Sequence, residues 1–420
     1  MLNPLRHQLP AHSPLPLAAI LRWGLGRGEV AAEGGAGVPL RRLEKLLRRR
    51  YQAHGVHLLG SGTQALSAAL AMTTALGSGR RNGGAPRPVA LPAYSCYDLL
   101  TAALAAGCPV VYYDVDPVTL GPDLASLEEV VQRGVAGVVV ASLFGFAPDW
   151  GAIGGLTRGS ETVIIEDAAQ GFGGSWHGSP LGSGGPEGLA SLSVLSFGRG
   201  KGWTAGSGGG ALLVRSPDGM VLDRSWTPPA PSPGGVAAAW SRVALAGKAL
   251  ALWAMARPGL YRVPRSIPWL GLGQTHLKTP MPPSAFPAAM ADLLLNTLEA
   301  SEQAAVARRQ AGEAYADALH GSAAGIPLPL GGADPGYLRF PLLLDEGLGS
   351  LGNPDRGLRL GAESGYPRIL PEVGRPLGLV DDSGREWPGA HRLVRSLLTF
   401  PTHELTRASE RGELVGLVAR

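Results

Sequence analysis

Cysteine is nearly missing from this chain: Cys96 and Cys108 are the only two in 420 residues. Neither belongs to a CxxC pair or to a cluster with metal-ligand spacing. Disulfide frameworks and zinc sites are therefore not expected, no metal is called for, and a reducing, cytoplasmic compartment is favoured. Charge is sparse as well, at 17% against 45% hydrophobic residues, the balance of a well-buried globular enzyme rather than a disordered or fibrous chain. The 37 basic and 33 acidic residues leave a formal net charge of +4, too small and too scattered for a nucleic-acid footprint. The one basic cluster, Arg41, Arg42, Lys45, Arg48, Arg49 and Arg50, is interleaved with Leu43, Leu46, Leu47 and Tyr51 at helical spacing, so it reads as the solvated face of a helix. No charged start leads into an apolar core and cleavage site, so no signal peptide is expected. The run 236–256 is weakly charged, yet it is alanine-rich and carries Arg242 and Lys248 in its interior. A buried or membrane-surface helix is expected there, with no stable membrane span. Tandem repeats are absent, and Pro-rich patches such as 228–233 are short loops.

At this length the chain can hold two domains and a sizeable core. From about residue 40 to 215, short β-branched runs alternate with helical stretches. The runs 89–91, 110–115, 138–142, 162–166, 192–197 and 210–214 predict strands, and 98–106 and 124–132 predict helices between them. Such alternation implies a mostly parallel sheet covered by helices, with ligands at the carboxyl ends of its strands. Residues 216–283 are dense in proline and glycine around the apolar run and suggest an insert. A long proline-free helix over 288–319, a strand over 337–344 and a mixed tail suggest a smaller C-terminal domain. The expected division is 1–285 and 286–420.

Two separated fragments carry the chemistry. Lys201 sits in a Gly-rich turn, Ser196-Phe197-Gly198-Arg199-Gly200-Lys201-Gly202, and Glu166-Asp167-Ala168-Ala169-Gln170 ends an earlier strand. Pyridoxal phosphate (PLP) needs a lysine for its aldehyde and a carboxylate to keep its pyridine nitrogen protonated. An aspartate at a strand end is costly to bury without a cationic partner, and a protonated pyridine is one. Gln170, three residues on, can reach the cofactor 3-hydroxyl, and the hydroxyl of Ser196 can reach a phosphate. Gly60-Ser61-Gly62-Thr63-Gln64 opens a helix, where free N–H groups, hydroxyls and the helix dipole suit a phosphate; a plain N-cap by Ser61 or Thr63 explains the same residues. Taken singly, the lysine turn is also compatible with a surface loop, and Asp167 with a helix cap.

In order and spacing these pieces resemble the DegT/StrS-type PLP-dependent sugar aminotransferases. The likeness runs from about residue 40 to the C-terminus. It also takes in Leu91-Pro92-Ala93-Tyr94, Ala106-Gly107, Asp114-Val115-Asp116, the glycines Gly206, Gly208 and Gly209, and Tyr366-Pro367. The resemblance implies an α/β fold of the aspartate aminotransferase kind, PLP-dependent transferase fold type I, with a large doubly wound, mostly parallel sheet domain and a smaller C-terminal α/β domain. It implies Lys201 as the catalytic lysine, Asp167 as pyridine partner and Gln170 as 3-hydroxyl partner. Ser196, Gly62, Thr63 and Gln64 are then the phosphate cradle, with Tyr366 and Pro367 near the substrate. It further implies a homodimer that moves an amino group, often from glutamate, to a keto sugar carried on a nucleotide, in polysaccharide or amino-sugar biosynthesis.

Three departures stand out. Cys96 occupies the place of an aromatic that stacks on the cofactor ring, with Tyr97 next, and either can cover the ring; the ungapped match upstream favours Cys96. Ser207 replaces a glutamate before the paired glycines. Met281-Pro282-Pro283-Ser284-Ala285-Phe286 stands where a Gly-Tyr-Asn-Tyr-Arg type element reaches the partner's cofactor. The rival readings are a PLP-dependent sugar dehydratase, whose relatives carry histidine at the lysine place, and a non-catalytic PLP-binding or regulatory homologue.

Overall fold

The apolar runs assemble into a seven-stranded sheet. The computed structural model describes residues 6–24, 37–75, 87–204, 206, 208–215, 236–262, 275–379 and 384–418. Its first part contains α1 (Leu17–Gly24), α2 (Val38–Arg50), β1 (Gly55–Leu59), α3 (Gly62–Ala75), β2 (Val89–Pro92), α4 (Asp98–Ala106), β3 (Val110–Tyr113), α5 (Leu124–Gln132), β4 (Gly137–Ala141), α6 (Trp150–Thr157) and β5 (Val163–Asp167). The short pair β6 (Ser175–Trp176) and β7 (Ser179–Pro180) follows, then β8 (Leu192–Ser196) and β9 (Gly210–Val214). The sheet order is β1-β9-β8-β5-β4-β2-β3. Neighbours from β8 to β3 run parallel, and β9 lies antiparallel between β8 and β1. This is the expected α/β class. All six strands anticipated between residues 89 and 214 are present.

Helix boundaries follow local chemistry. Asp123 caps α5 by accepting the Ser126 N–H at 2.8 Å. Gly107, with φ +62, ends α4 in the left-handed region. The basic cluster lies on α2, whose Leu43 and Leu47 are buried; these pack with Tyr51, Met290, Ala291 and Leu294.

The weakly charged run forms α7 (Val236–Met255). Leu245, Ala246, Ala249, Leu250 and Trp253 pack against Leu15, Ile20, Trp23 and Leu293, while Ala244 and Lys248 are exposed. The helix is thus amphipathic over its described part. Among the described residues no helix is long and apolar enough to cross a membrane.

α8 (Ala288–Leu319) bridges two packing regions. Its beginning joins the α2 cluster, and Tyr315 and Leu319 at its end join Phe340 and Phe400. Strand β10 (Ala333–Asp334) pairs with β6. β11 (Phe340–Leu343), β12 (Glu363–Ser364) and β13 (Leu397–Phe400) form a second, antiparallel sheet in the order β11-β13-β12. The expected strand 337–344 is therefore shorter, because Tyr337 adopts φ +40 and leaves extended geometry.

Candidate active site

Strand alternation sends neighbouring carboxylates to opposite faces of β5. Glu166 enters a buried network: its Oε1 accepts the Gly182 N–H at 2.7 Å, and its Oε2 accepts the Gly184 N–H at 2.8 Å and the Ser193 hydroxyl at 2.9 Å. Burial pushes the Glu166 carboxyl up, and Arg215 opposes that shift. Asp167 lines a cavity on the other face. Burial pushes its carboxyl above the usual range, with Lys201 pulling the other way.

The same cavity gathers Gly62, Thr63, Cys96, Gln170, Ser196 and Lys201. These residues come from the carboxyl ends of β2, β5 and β8 and from the first turn of α3. Gly62 is required by close approach, since a Cβ there would lie 2.7 Å from Cβ of Ser196. The hydroxyls of Thr63 and Ser196 make no hydrogen bond among the described residues. Ser61 caps α3 through its Oγ, which accepts the Gln64 N–H at 3.1 Å.

Gln64 does not line this cavity. Its Nε2 donates to the Pro282 carbonyl at 2.8 Å, and its Oε1 accepts the Ser284 hydroxyl at 3.0 Å. The side chain thus ties α3 to the segment 282–284. Tyr97 also stands apart: its hydroxyl accepts the Arg368 N–H at 3.1 Å and donates to the Arg368 carbonyl at 3.3 Å. Cys96 is the member of that pair on the cavity wall. Burial pushes its thiol up to about 11, so it is neutral at physiological pH.

Gly200, at φ +78, makes the turn that precedes Lys201. Lys201 and Gln170 also line a second, larger cleft of about 700 Å³, which includes Tyr366, Pro367, Arg199 and Arg339. Gln170 is fixed from two sides: its Oε1 accepts the Phe144 N–H at 2.9 Å and its Nε2 donates to the Tyr366 hydroxyl at 3.0 Å. Tyr366 is held in turn by its backbone N–H, which donates to the Tyr94 hydroxyl at 2.8 Å. Ser207 lies outside the described residues.

Sequence reasoning missed Ser142 and Ser95, which line the inner cavity, and Arg339, which lines the outer cleft. Ser142 follows β4 and was legible as a hydroxyl at a strand's carboxyl end; nothing local marked Arg339.

The donor set fits PLP. Oδ1 of Asp167 accepts the Ala169 N–H at 3.1 Å, whereas Oδ2 has no partner among the described residues and is free for a protonated ring nitrogen. The buried Oγ of Ser142 on the same wall also has no partner. An acid, a lysine, a glutamine and unpaired hydroxyls beside a helix start match the ends of that cofactor.

The fold is that of PLP-dependent transferase fold type I, and the donor set of the site fits the cofactor. Residues 33–220 match the model of the DegT/DnrJ/EryC1/StrS aminotransferase family. The pleiotropic regulatory protein of Geobacillus stearothermophilus is 28% identical over 161 residues, 38% of this chain and 40% of that protein. The L-glutamine:2-deoxy-scyllo-inosose aminotransferase of Streptomyces lividus is 31% identical over 135 residues, 32% of this chain and 30% of its own length. The chain thus spans well under half the length of these relatives. The sugar aminotransferase CalS13 of Micromonospora echinospora is a structural neighbour with a TM-score of 0.69. That likeness covers 97% of this chain and 98% of the other at 19% identity, and is one of fold.

Proposed function

We propose that this chain is a PLP-dependent aminotransferase that moves an amino group, taken from glutamate, to a keto sugar carried on a nucleotide. Polysaccharide or amino-sugar biosynthesis in the cytoplasm is the setting, and a homodimer the working form. One observation carries the reading: Lys201 and Gln170 line both the inner cavity that fits the cofactor and the outer cleft beside Tyr366. When bound, PLP supplies an aldehyde for amine exchange and an electron-withdrawing ring. Asp167 keeps the ring nitrogen protonated. Thr63, Ser196 and the start of α3 hold the phosphate. Cys96 covers a ring face. Lys201, which lines both spaces, takes and returns a proton through its Nζ at the substrate carbon that bears the nitrogen. Tyr366 and Pro367 form a wall of the substrate cleft.

The family match and the named aminotransferases among similar proteins support the chemistry. The sugar dehydratase reading is disfavoured because Lys201 stands where histidine is needed. The regulatory reading draws on the name of one similar protein; Asp167, Gln170 and Lys201 in one cavity favour an enzyme.

A screen of amino donors against nucleotide-linked keto sugars, read by mass change, tests the reading. Transfer from glutamate to at least one of them is expected. Borohydride reduction followed by peptide mapping tests the lysine: the reduced cofactor is expected on Lys201. No bound PLP after reconstitution, or label on another lysine, overturns the assignment. A monomeric mass in solution at full activity rules out the dimer.

A further inference from the structure

We propose that Ser13 is a positioning residue for Lys201, an inference that rests on Lys201 being the lysine that holds PLP. The hydroxyl of Ser13 donates to the Lys201 backbone carbonyl at 2.8 Å across 188 positions of sequence. Lys201's own turn is tied at its ends, where the Thr204 hydroxyl donates to the Phe197 carbonyl at 3.1 Å and to the Gly198 carbonyl at 3.3 Å, but no described residue within it holds the Lys201 carbonyl. Glycines flank it at 198, 200 and 202, and the Lys201 N–H reaches the Gly198 carbonyl at a long 3.3 Å. Glycine-rich backbone has many accessible conformations, so a bond from outside the turn selects among them. Fixing that carbonyl fixes the Lys201–Gly202 peptide plane and with it the direction in which the lysine side chain leaves the backbone.

Ser13 can impose this because the chain around it is itself anchored. Residues 7–15 form neither helix nor strand. The Gln8 N–H donates to the Arg359 carbonyl at 2.9 Å, and Gln8 Nε2 donates to Oε2 of Glu410 at 2.6 Å. The Leu9 carbonyl lies 2.9 Å from Nε2 of His403, and His12 Nδ1 lies 2.9 Å from Oε1 of Glu404. Beyond Ser13, Leu15 is buried with Ile20 and Trp23. Ser13 is thus the link by which a strap fastened to the C-terminal part of the chain reaches the lysine turn.

The test compares full-length Ser13→Ala and Ser13→Thr with the parent protein by two readouts. In cofactor-free protein, hydrogen exchange of a peptide spanning 198–204 is expected to rise about three- to tenfold in Ser13→Ala, the size of one lost hydrogen bond. In PLP-loaded protein, the pH midpoint of the visible absorption band is expected to move by about half a unit or more, because the direction in which Lys201 leaves the backbone sets how its link to the cofactor lies against the ring. Ser13→Thr keeps a hydroxyl and is expected to restore both. Should the alanine variant fail to fold, Ser13→Cys, of similar size but a weaker donor, is expected to show the same two changes. The proposal is overturned if the donor-deficient variant matches the parent in either readout, or if Ser13→Thr behaves like it. A parent protein that takes up no PLP sinks the proposed function instead; the exchange comparison, which needs no cofactor, then still decides whether Ser13 holds the turn.

Discussion

Gln170 Nε2 lies 3.0 Å from the hydroxyl of Tyr366, so one hydrogen bond joins the turn after β5 to the segment after β12. Tyr366 lines the outer cleft, while Gln170 lines both spaces. Tyr366→Phe removes this bond and leaves Gln170 held by the Phe144 N–H. The loss is worth about 1 kcal/mol, or roughly a fivefold change. The keto-substrate KM is therefore expected to rise about that much, with PLP retention unchanged. Steady-state kinetics with a cofactor titration check it. A variant that sheds PLP at unaltered KM contradicts the assignment.

Asp167→Asn separates charge from shape. Oδ1 of asparagine can still accept the Ala169 N–H that Asp167 accepts at 3.1 Å, so the turn is expected to persist. An amide cannot keep a pyridine nitrogen protonated, and losing a contact to a charged group costs about 1.5–3 kcal/mol, roughly ten- to a hundredfold in single-turnover rate. The cofactor-free protein should respond in the opposite direction. Burial raises the folded-state pKa of Asp167, so the folded state binds more protons than the unfolded state as pH rises from the ordinary carboxylate value to the raised one. Stability conferred by that group is present below the unfolded value and is lost above it. The asparagine variant, which has no charge to bury, is therefore expected to be at least as stable as its parent at pH 8. Urea melts of both proteins and single-turnover rates decide; near-normal turnover in the variant contradicts the role.

Most of the seven-stranded sheet was legible because its strands are largely buried runs rich in Val, Ile and Leu, which read clearly without alternation. β1 was missed: Gly55-Val56-His57-Leu58-Leu59 is short, contains a histidine and is only partly covered, and its place comes from antiparallel pairing with β9, which no local pattern encodes. Within the site, residues at the carboxyl ends of strands were legible since ligands collect there. The orientation of Gln64 was not. Its motif position fitted a phosphate cradle, but a carbonyl 218 residues away takes its amide. Ser13 had no local signal for the same reason: its partner is distant in sequence.

Cys96 and Tyr97 give a direct contrast. Cys96 lines the inner cavity, and Tyr97 has its hydroxyl committed to both backbone polar groups of Arg368. A sulfur against an aromatic face contributes about 0.3–1.5 kcal/mol, or roughly two- to tenfold in affinity. Cys96→Ala is thus expected to weaken PLP binding or change its absorption more than Tyr97→Phe or Tyr97→Leu does. Spectrophotometric PLP titration checks it. If Tyr97→Leu strips the cofactor while Cys96→Ala leaves affinity and spectrum intact, the tyrosine is the stacking residue.

Acid stability should report on His403. Its Nε2 lies 2.9 Å from the Leu9 carbonyl and its Nδ1 lies 3.4 Å from the Thr406 hydroxyl, a pattern that a neutral ring satisfies as donor at one nitrogen and acceptor at the other. Burial lowers its pKa to about 4; His12, whose ring centroid is 5.8 Å away, and Arg308 push the same way, while Glu404 and the Leu9 carbonyl oppose them. The unfolded chain therefore binds more protons than the folded one between about pH 6.5 and 4, so stability rises with pH across that window. The full contribution is present above about 6.5 and is lost as the solution is acidified, on the order of 3 kcal/mol. Glu404, held down to about 2 chiefly by its bond to His12 against the cost of burial, adds a second loss only below the ordinary carboxylate range. His403→Gln retains a donor for Leu9 and removes the titration. Its stability from urea melts is expected to be nearly flat from pH 6.5 to about 4.5, where the parent declines, and to fall with the parent below that. A parent curve flat across the upper window, or a variant that keeps the parent's slope there, rules out His403 as the titrating group.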